Sequence, residues 1–278
     1  VVDDEEQLKG TVSLKELVVA PPNSPVKELM NTEPQVLDPE LDQEEAAKLF
    51  ARYKLGSAPV VDRQLRLVGV VLDSDIVEVV EEETDEDLAK MAGTDVEELK
   101  TESAWEAAWH RMPWLGITCV GQLLVSAVIH NFEDALSKLV ALATFMPLIA
   151  AMGGNVGSQS AIMVVRALAS GETEFDHAGK TMRRDMRVGA LLGAVYCVVM
   201  IGAAYVFYGA RFGPRFALVI GLGTFVSMTV AASLGALMPF VFERVGIDPA
   251  TATGPLVTTL TDLISTASYL TLAALLLL

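Results

Sequence analysis

Five stretches of this chain, at about 113–130, 139–168, 188–209, 216–242 and 254–278, are apolar over roughly the 20 residues that a helix needs to cross a bilayer. Nothing else in the sequence constrains the fold as much. A chain with that pattern is expected to build an α-helical membrane domain of five transmembrane helices. The polar residues fall between the stretches, in "HNFEDALSK", "SGETEFDHAGKTMRRDMR", "GARFGPR" and "ERVGIDPATAT". Charge divides the chain at the same place. Residues 1–112 hold 27 Asp and Glu against 11 Lys and Arg, whereas residues 113–278 hold 9 of each. The whole excess of −16 therefore belongs to the region ahead of the apolar stretches. An acidic face of this kind repels nucleic acid and suits cations.

Lys and Arg also give an orientation, because cytoplasmic loops collect them. With the acidic region in the cytoplasm, the inner side holds Arg111, Arg166, Lys180, Arg183, Arg184, Arg187 and Arg244; the outer side holds Lys138, Arg211 and Arg215. This predicts a multi-pass protein of the plasma membrane with the N-terminus inside and the C-terminus outside. The two cysteines, Cys119 and Cys197, lie in apolar stretches and read as small hydrophobes. No Ser/His/Asp or Cys/His set is present, and His110, His130 and His177 fall at the ends of spans, so an enzyme is not expected.

Asp262, in "GPLVTTLTDLISTASYL", is the one carboxylate deep within an apolar stretch. A charge at that depth costs on the order of 2.5–3.5 kcal/mol, so it is expected to face a cavity, an ion or a partner rather than lipid. Thr258, Thr259, Thr261 and Ser265 lie on the same or neighbouring helical faces and offer oxygen. In the second stretch, "MGGNVGSQS" places Asn155 and Gln159 four residues apart on one face, among Gly153, Gly154 and Gly157. The glycines let another backbone or a hydrated ion come close, and Gly153-x-x-x-Gly157 is also a helix-packing pattern. With Pro147 just ahead, and with Pro239 and Pro255 further on, broken helices that expose extra carbonyls are expected. Carbonyls, hydroxyls and one carboxylate form a set for a hard, partly hydrated divalent cation. One Asp is too little charge for such an ion, and two copies around an axis would supply two, so a homodimer is expected. Asp248, in "GIDPAT", reads as a helix cap or as part of the ion's inner mouth.

The acidic region has its own pattern. Residues 34–80 read strand, helix, strand, strand, helix, with Asp42 as N-cap and Glu45 three later as the reciprocal half of a capping box. The opening "VVDDEEQLKGTVSLKELVVA" repeats the second half of that unit. "SAPVVDRQLRLVGVVLDSDIVEVV" and "VVDDEEQLKGTVSLKELV" together resemble a pair of α/β cystathionine-β-synthase (CBS) domains with the first copy truncated: 1–30 a partial first copy and 31–80 the second. Taken with "PLIAAMGGNVGSQSAIMVVRALASGE" and "GIDPATATGPLVTTLTDLISTASYL", the whole chain resembles the MgtE family of magnesium channels.

That resemblance implies a CBS region over 1–80, an acidic connecting plug helix over 81–112, and a five-helix pore domain over 113–278 that dimerises. The family's acidic N-terminal domain has no counterpart here, and the chain reads as a piece of a longer protein. The resemblance makes Asp262 and Asn155 ion-binding residues of the pore, with Gly254 standing where the family often has Asn. It makes Asp42, Glu44, Asp75, Glu78, Glu83, Glu86 and Asp87 ligands of regulatory Mg²⁺ that clamps the pore shut, while one further acidic position is Lys54. The self-repelling run "EEETDEDLAKM" fits that role, since bridging cations would relieve it. CBS domains often bind adenine nucleotides; Ser13 and Glu16 are the candidate ATP contacts, and Leu72 replaces the matching hydroxyl of the second copy. Two other functions fit the same residues: a cation transporter coupled to Na⁺ or H⁺, and a membrane-anchored CBS ligand sensor.

Overall fold

A computed structural model describes residues 1–170 and 177–277, in two compact units, Val1–Asp85 and Glu86–Leu278. Residues 171–176, part of one predicted connection, lie outside the described residues.

The first unit contains the short helices α1 (Leu14–Val19) and α2 (Val26–Leu29), then α3 (Gln43–Tyr53) and the strands β1 (Ser57–Val61) and β2 (Leu67–Leu72). Helix α4 (Asp73–Ala92) begins in this unit and ends in the second. β1 and β2 pair antiparallel from Ser57↔Leu72 to Val61↔Leu67, with a bulge at Val60/Val61. Asp62 builds the turn between them. Its Oδ1 accepts from the backbone N–H of Gln64 and of Arg66, both at 2.9 Å. These bonds, with the Arg66 guanidinium, hold the Asp62 carboxyl below the usual range. Leu37, Phe50 and Ala58 form the core, packed by Ala46, Leu49, Leu55, Val60, Val71 and Ile76. Ala46, Leu49 and Phe50 are spaced to share the inner face of α3.

The strand predicted ahead of α3 is reduced to one parallel bridge, Leu37↔Val60. The first-copy segment is likewise not a ladder. It joins the hairpin turn through Leu8 N–H to Leu65 O (2.9 Å) and Leu67 N–H to Glu6 O (3.0 Å). Asp42 caps α3 by accepting from Glu44 N–H, but Glu45 does not close the expected box, because its carboxylate pairs with Lys48 instead. Lys54 closes α3 in the left-handed region, φ 51°.

The second unit is helical: the end of α4, a 3-10 turn at Val96–Lys100, α5 (Ala104–His130), α6 (Glu133–Lys138), α7 (Ala141–Ala169), α8 (Ala178–Arg244), a 3-10 turn at Pro249–Ala252, and α9 (Gly254–Leu277). α5, α7, α8 and the stretch Pro249–Leu277 are each long and apolar enough to cross a membrane. The plug predicted over 81–112 is not one helix. Gly93, at φ +76°, ends α4, and residues 104–112 belong to α5.

α8 is 67 residues long, about 100 Å at 1.5 Å per residue, and Gly213 breaks it at φ 75°, ψ −177°. That backbone conformation is open to glycine and strained for other residues. The two halves then fold back on each other. A methyl group added at Gly193 would sit 3.0 Å from Phe225 O, and one at Gly221 would sit 2.7 Å from Cys197 O. The pairing of low numbers with high ones marks an antiparallel hairpin. One core joins Leu142, Phe145 and Ile149 of α7 to Met200, Phe216 and Ile220 of α8 and Tyr269 of α9. A second joins Val164 and Leu168 to Ala236 and Phe240. Contrary to expectation, α7 is unbroken through Pro147 and the glycine cluster.

Candidate functional site

The polar residues of α9 divide into packing groups and one exposed edge. Thr258 Oγ1 donates to Gly254 O (2.9 Å), Thr259 Oγ1 to Pro255 O (2.6 Å) and Thr261 Oγ1 to Val257 O (2.8 Å), so each hydroxyl hydrogen is spent on its own helix. Thr259 is buried against Gly121 of α5, and Thr261 against Gly157 of α7. Ser265 bonds Ser227 of α8 at 2.7 Å inside the bundle, beneath Gly153. Thr259 and Ser265 are therefore helix-to-helix contacts and do not join the predicted ring of ion-facing oxygens. Thr258 remains half-buried on the side of Asp262.

Asp262 is the centre of the site. Its Oδ2 accepts from Gln122 Nε2 of α5 at 2.9 Å. Its Oδ1 faces α7, where a methyl group replacing the Gly154 hydrogen would sit only 3.5 Å away. Three helices distant in sequence thus meet at one carboxylate. Asn155 and Gln159 lie beside Gly154 on an exposed face of α7 with Leu148, Ala151 and Ile162. Gln122 was not anticipated. The signal for it was present: between Arg111 and His130 it is the only charged or amide side chain.

Below α9 the chain is tied to the end of α4. Asp248 caps the Pro249–Ala252 turn through Ala250 N–H (2.8 Å) and also binds the Lys90 ammonium. Lys90 in turn pairs with Glu86 one helical turn earlier. Partial burial opposes the lysine's charge, but the two carboxylates outweigh it and hold Lys90 well above the usual lysine range. Asp248 is thus a cap and an ion-pair partner rather than an open ligand. Gly254, at φ +55°, rests its Cα against the Met91 carbonyl, and a side chain there would strike it.

A second tie lies between the Val96–Lys100 turn and α5. The Arg111 guanidinium grips both Glu98 oxygens, Nε to Oε1 at 2.8 Å and to Oε2 at 3.0 Å, and Thr94 adds a hydroxyl. Arg111 first, then Thr94, pulls the Glu98 carboxyl down to about 2. A carboxylate lowered on folding contributes stability that is complete above its unfolded value, near 4.5, and is lost as pH falls through about 2. Protection factors against hydrogen exchange across residues 94–104 are therefore expected to be full above about pH 4.5 and to decline progressively as pH falls towards about 2. Arg111→Ala would remove that decline.

The acids assigned to regulatory Mg²⁺ are mostly engaged locally. Asp42 is a cap, Glu44 pairs with Lys48 at 3.6 Å, and Asp75 accepts from Leu72 N–H at 3.0 Å. Glu83 binds Gln43 Nε2, which brings the start of α3 to the middle of α4. Glu78 is exposed, and Asp87 is half-buried with a partner of its own. Among the described residues, the His, Cys, Asp or Glu side chains that gather within 4.8 Å are instead Asp95, Glu97 and His110. Ser13 and Glu16 form a capping box on α1, Ser13 Oγ to Glu16 Oε2 at 2.8 Å. The Ser13 backbone N–H chiefly lowers the Glu16 carboxyl.

Residues 146–272 match the MgtE family, described as divalent cation transporters, and residues 26–82 match the CBS domain. The magnesium transporter MgtE of Thermus thermophilus is 37% identical over 279 residues, covering 100% of this chain and 61% of that protein. MgtE of Bacillus subtilis is 34% identical over 98% of this chain and 60% of its own length. MgtE of Enterococcus faecalis is 33% identical over 99% and 60%. The chain spans about three fifths of the length of these relatives. With a CBS domain ahead of apolar helices that converge on Asp262, the chain is similar to the MgtE family of divalent cation transporters.

Proposed function

We propose that this chain is the CBS and membrane portion of a Mg²⁺-conducting channel, with Asp262 as the ion-binding group of its path. The observation that carries this reading is the Asp262 carboxylate at the depth of an apolar helix, one oxygen bonded to Gln122 and the other beside Gly154. In hydrocarbon such a group needs an ion, water or partner. The chain crosses the membrane five times, each half of α8 making one crossing. The N-terminus lies in the cytoplasm and the C-terminus outside, in the plasma membrane, as the Lys and Arg bias favours. Two copies enclose the path. The exposed polar patch of Asn155 and Gln159 faces the axis, and the second Asp262 completes the charge for a divalent ion. Homology to proteins named magnesium transporters supports Mg²⁺ as the substrate. Expression of the chain in cells stripped of their own Mg²⁺ systems is expected to restore uptake. A protein present in the membrane that restores none overturns the reading.

Cytoplasmic Mg²⁺ closes this path by binding the acidic surfaces of the CBS region and of α4. The support is the exposed acids Glu78, Glu81, Glu82 and Asp85 along one helix, which repel one another and suit bridging cations. Millimolar Mg²⁺ is expected to slow proteolysis between residues 73 and 103. Equal cleavage with and without Mg²⁺ would remove the clamp from the mechanism.

A further inference from the structure

We infer that Gln122 sets the ion selectivity of the path by engaging one of the two Asp262 oxygens and so weakening it as an ion ligand; this rests on Asp262 lining that path. α5 carries no charged or amide side chain from Met112 to Ile129 apart from Gln122. An amide at bilayer depth must find a polar partner, and this one donates to Asp262 Oδ2 at 2.9 Å across 140 residues of sequence. The bond orients the carboxylate. One lone pair of Oδ2 is taken by the amide, which makes it the weaker ligand, while Oδ1 accepts nothing from Gln122 and lies on the side where Gly154 leaves the backbone bare. The side chains of Thr259 and Ser265 are buried in helix contacts and cannot replace the weakened oxygen.

One oxygen and two oxygens suit different ions. Ca²⁺ takes six to eight oxygens in flexible geometry and readily accepts both oxygens of one carboxylate. Mg²⁺ holds a near-octahedral shell, keeps several waters, and is satisfied by a single carboxylate oxygen or by a water bound to it. Gln122 therefore penalises Ca²⁺ more than Mg²⁺. It is a specificity-determining residue that acts on the ion through Asp262.

The test is Mg²⁺ influx into liposomes holding the full chain, titrated with external Ca²⁺. Wild type is compared with Gln122→Met, which keeps the length of the side chain, with Gln122→Leu, and with Asp262→Ala. In both Gln122 variants, whatever their absolute Mg²⁺ flux, Ca²⁺ is expected to inhibit at a roughly tenfold lower concentration, the scale of one charge-assisted hydrogen bond. A merely structural role would lower yield or flux and leave the Ca²⁺ midpoint where it is. A folded Gln122→Met protein with the wild-type midpoint overturns the inference. If Asp262→Ala is silent in that same series, the ion path itself survives. If Asp262→Ala conducts like wild type, the ion-path reading fails first.

Discussion

Mg²⁺ uptake is expected to fall to background when Asp262 is replaced by alanine, with the protein still present in the membrane at wild-type level. The carboxylate has no structural duty that would explain such a loss. It is half-buried, it caps nothing, and it bonds Gln122, a side chain that is itself exposed. In the proposed path, removing it deletes the charge that offsets a divalent ion at bilayer depth. A hydrogen bond to a charged group is worth about 1.5–3 kcal/mol, and in the proposed dimer each copy loses one carboxylate, so a loss of roughly 100-fold or more is the expected scale. Asp262→Asn separates charge from shape. Asparagine keeps an oxygen that can accept from Gln122 and keeps the contact with Gly154, yet carries no charge. Uptake by Asp262→Asn near that of alanine assigns the role to charge. Uptake near wild type in both variants would sink Asp262 as the ion-binding group.

Those aspects of the site that depend on burying charge could be read in the sequence, and those that depend on which helix faces which could not. Asp262 stands out because a lone carboxylate in an apolar run has few permitted neighbours. Gly154 was legible as one of a glycine cluster, but its place beside Asp262 was not. The rotation of α9 was beyond reach: Thr258, Thr259 and Thr261 have the same chemistry, and packing alone decides that Thr259 turns to Gly121 and Thr261 to Gly157. Pro147 and three glycines suggest a broken second span, but α7 continues, since packing against α8 and α9 supplies what local propensity lacks. In the soluble region the hairpin and α3 follow from periodicity. The partner of Glu45 did not, because Lys48 and the capping position compete for the same carboxylate within one turn of helix. The pairing of Lys90 with Asp248 joins residues 158 apart, and no local pattern encodes it.

Substitution at Gly235 is expected to be the most damaging change outside the ion path. A methyl group there would lie 2.7 Å from the Gly157 carbonyl carbon and 2.9 Å from its Cα, so it meets backbone rather than a side chain that can swing away. Overpacking a tight interior costs about 1–3 kcal/mol even where side chains can adjust. Here the helices themselves must part. Small residues let membrane helices approach closely, and that van der Waals contact replaces the hydrophobic drive that lipid does not provide. The consequence reaches the ion path, because Gly157 and Gly154 are one turn apart on α7 and Gly154 is the residue against Asp262. Gly235→Ala should therefore lower the temperature at which the detergent-solubilised protein loses its monodisperse peak, and should lower uptake as well; Gly235→Leu should abolish both. Gly202, on the same helix, has open space where its methyl group would go, so Gly202→Leu is the matched control and should behave as wild type. Equal thermal stability and uptake in Gly235→Leu and Gly202→Leu would mean that α7 and α8 do not cross at these glycines in the working protein.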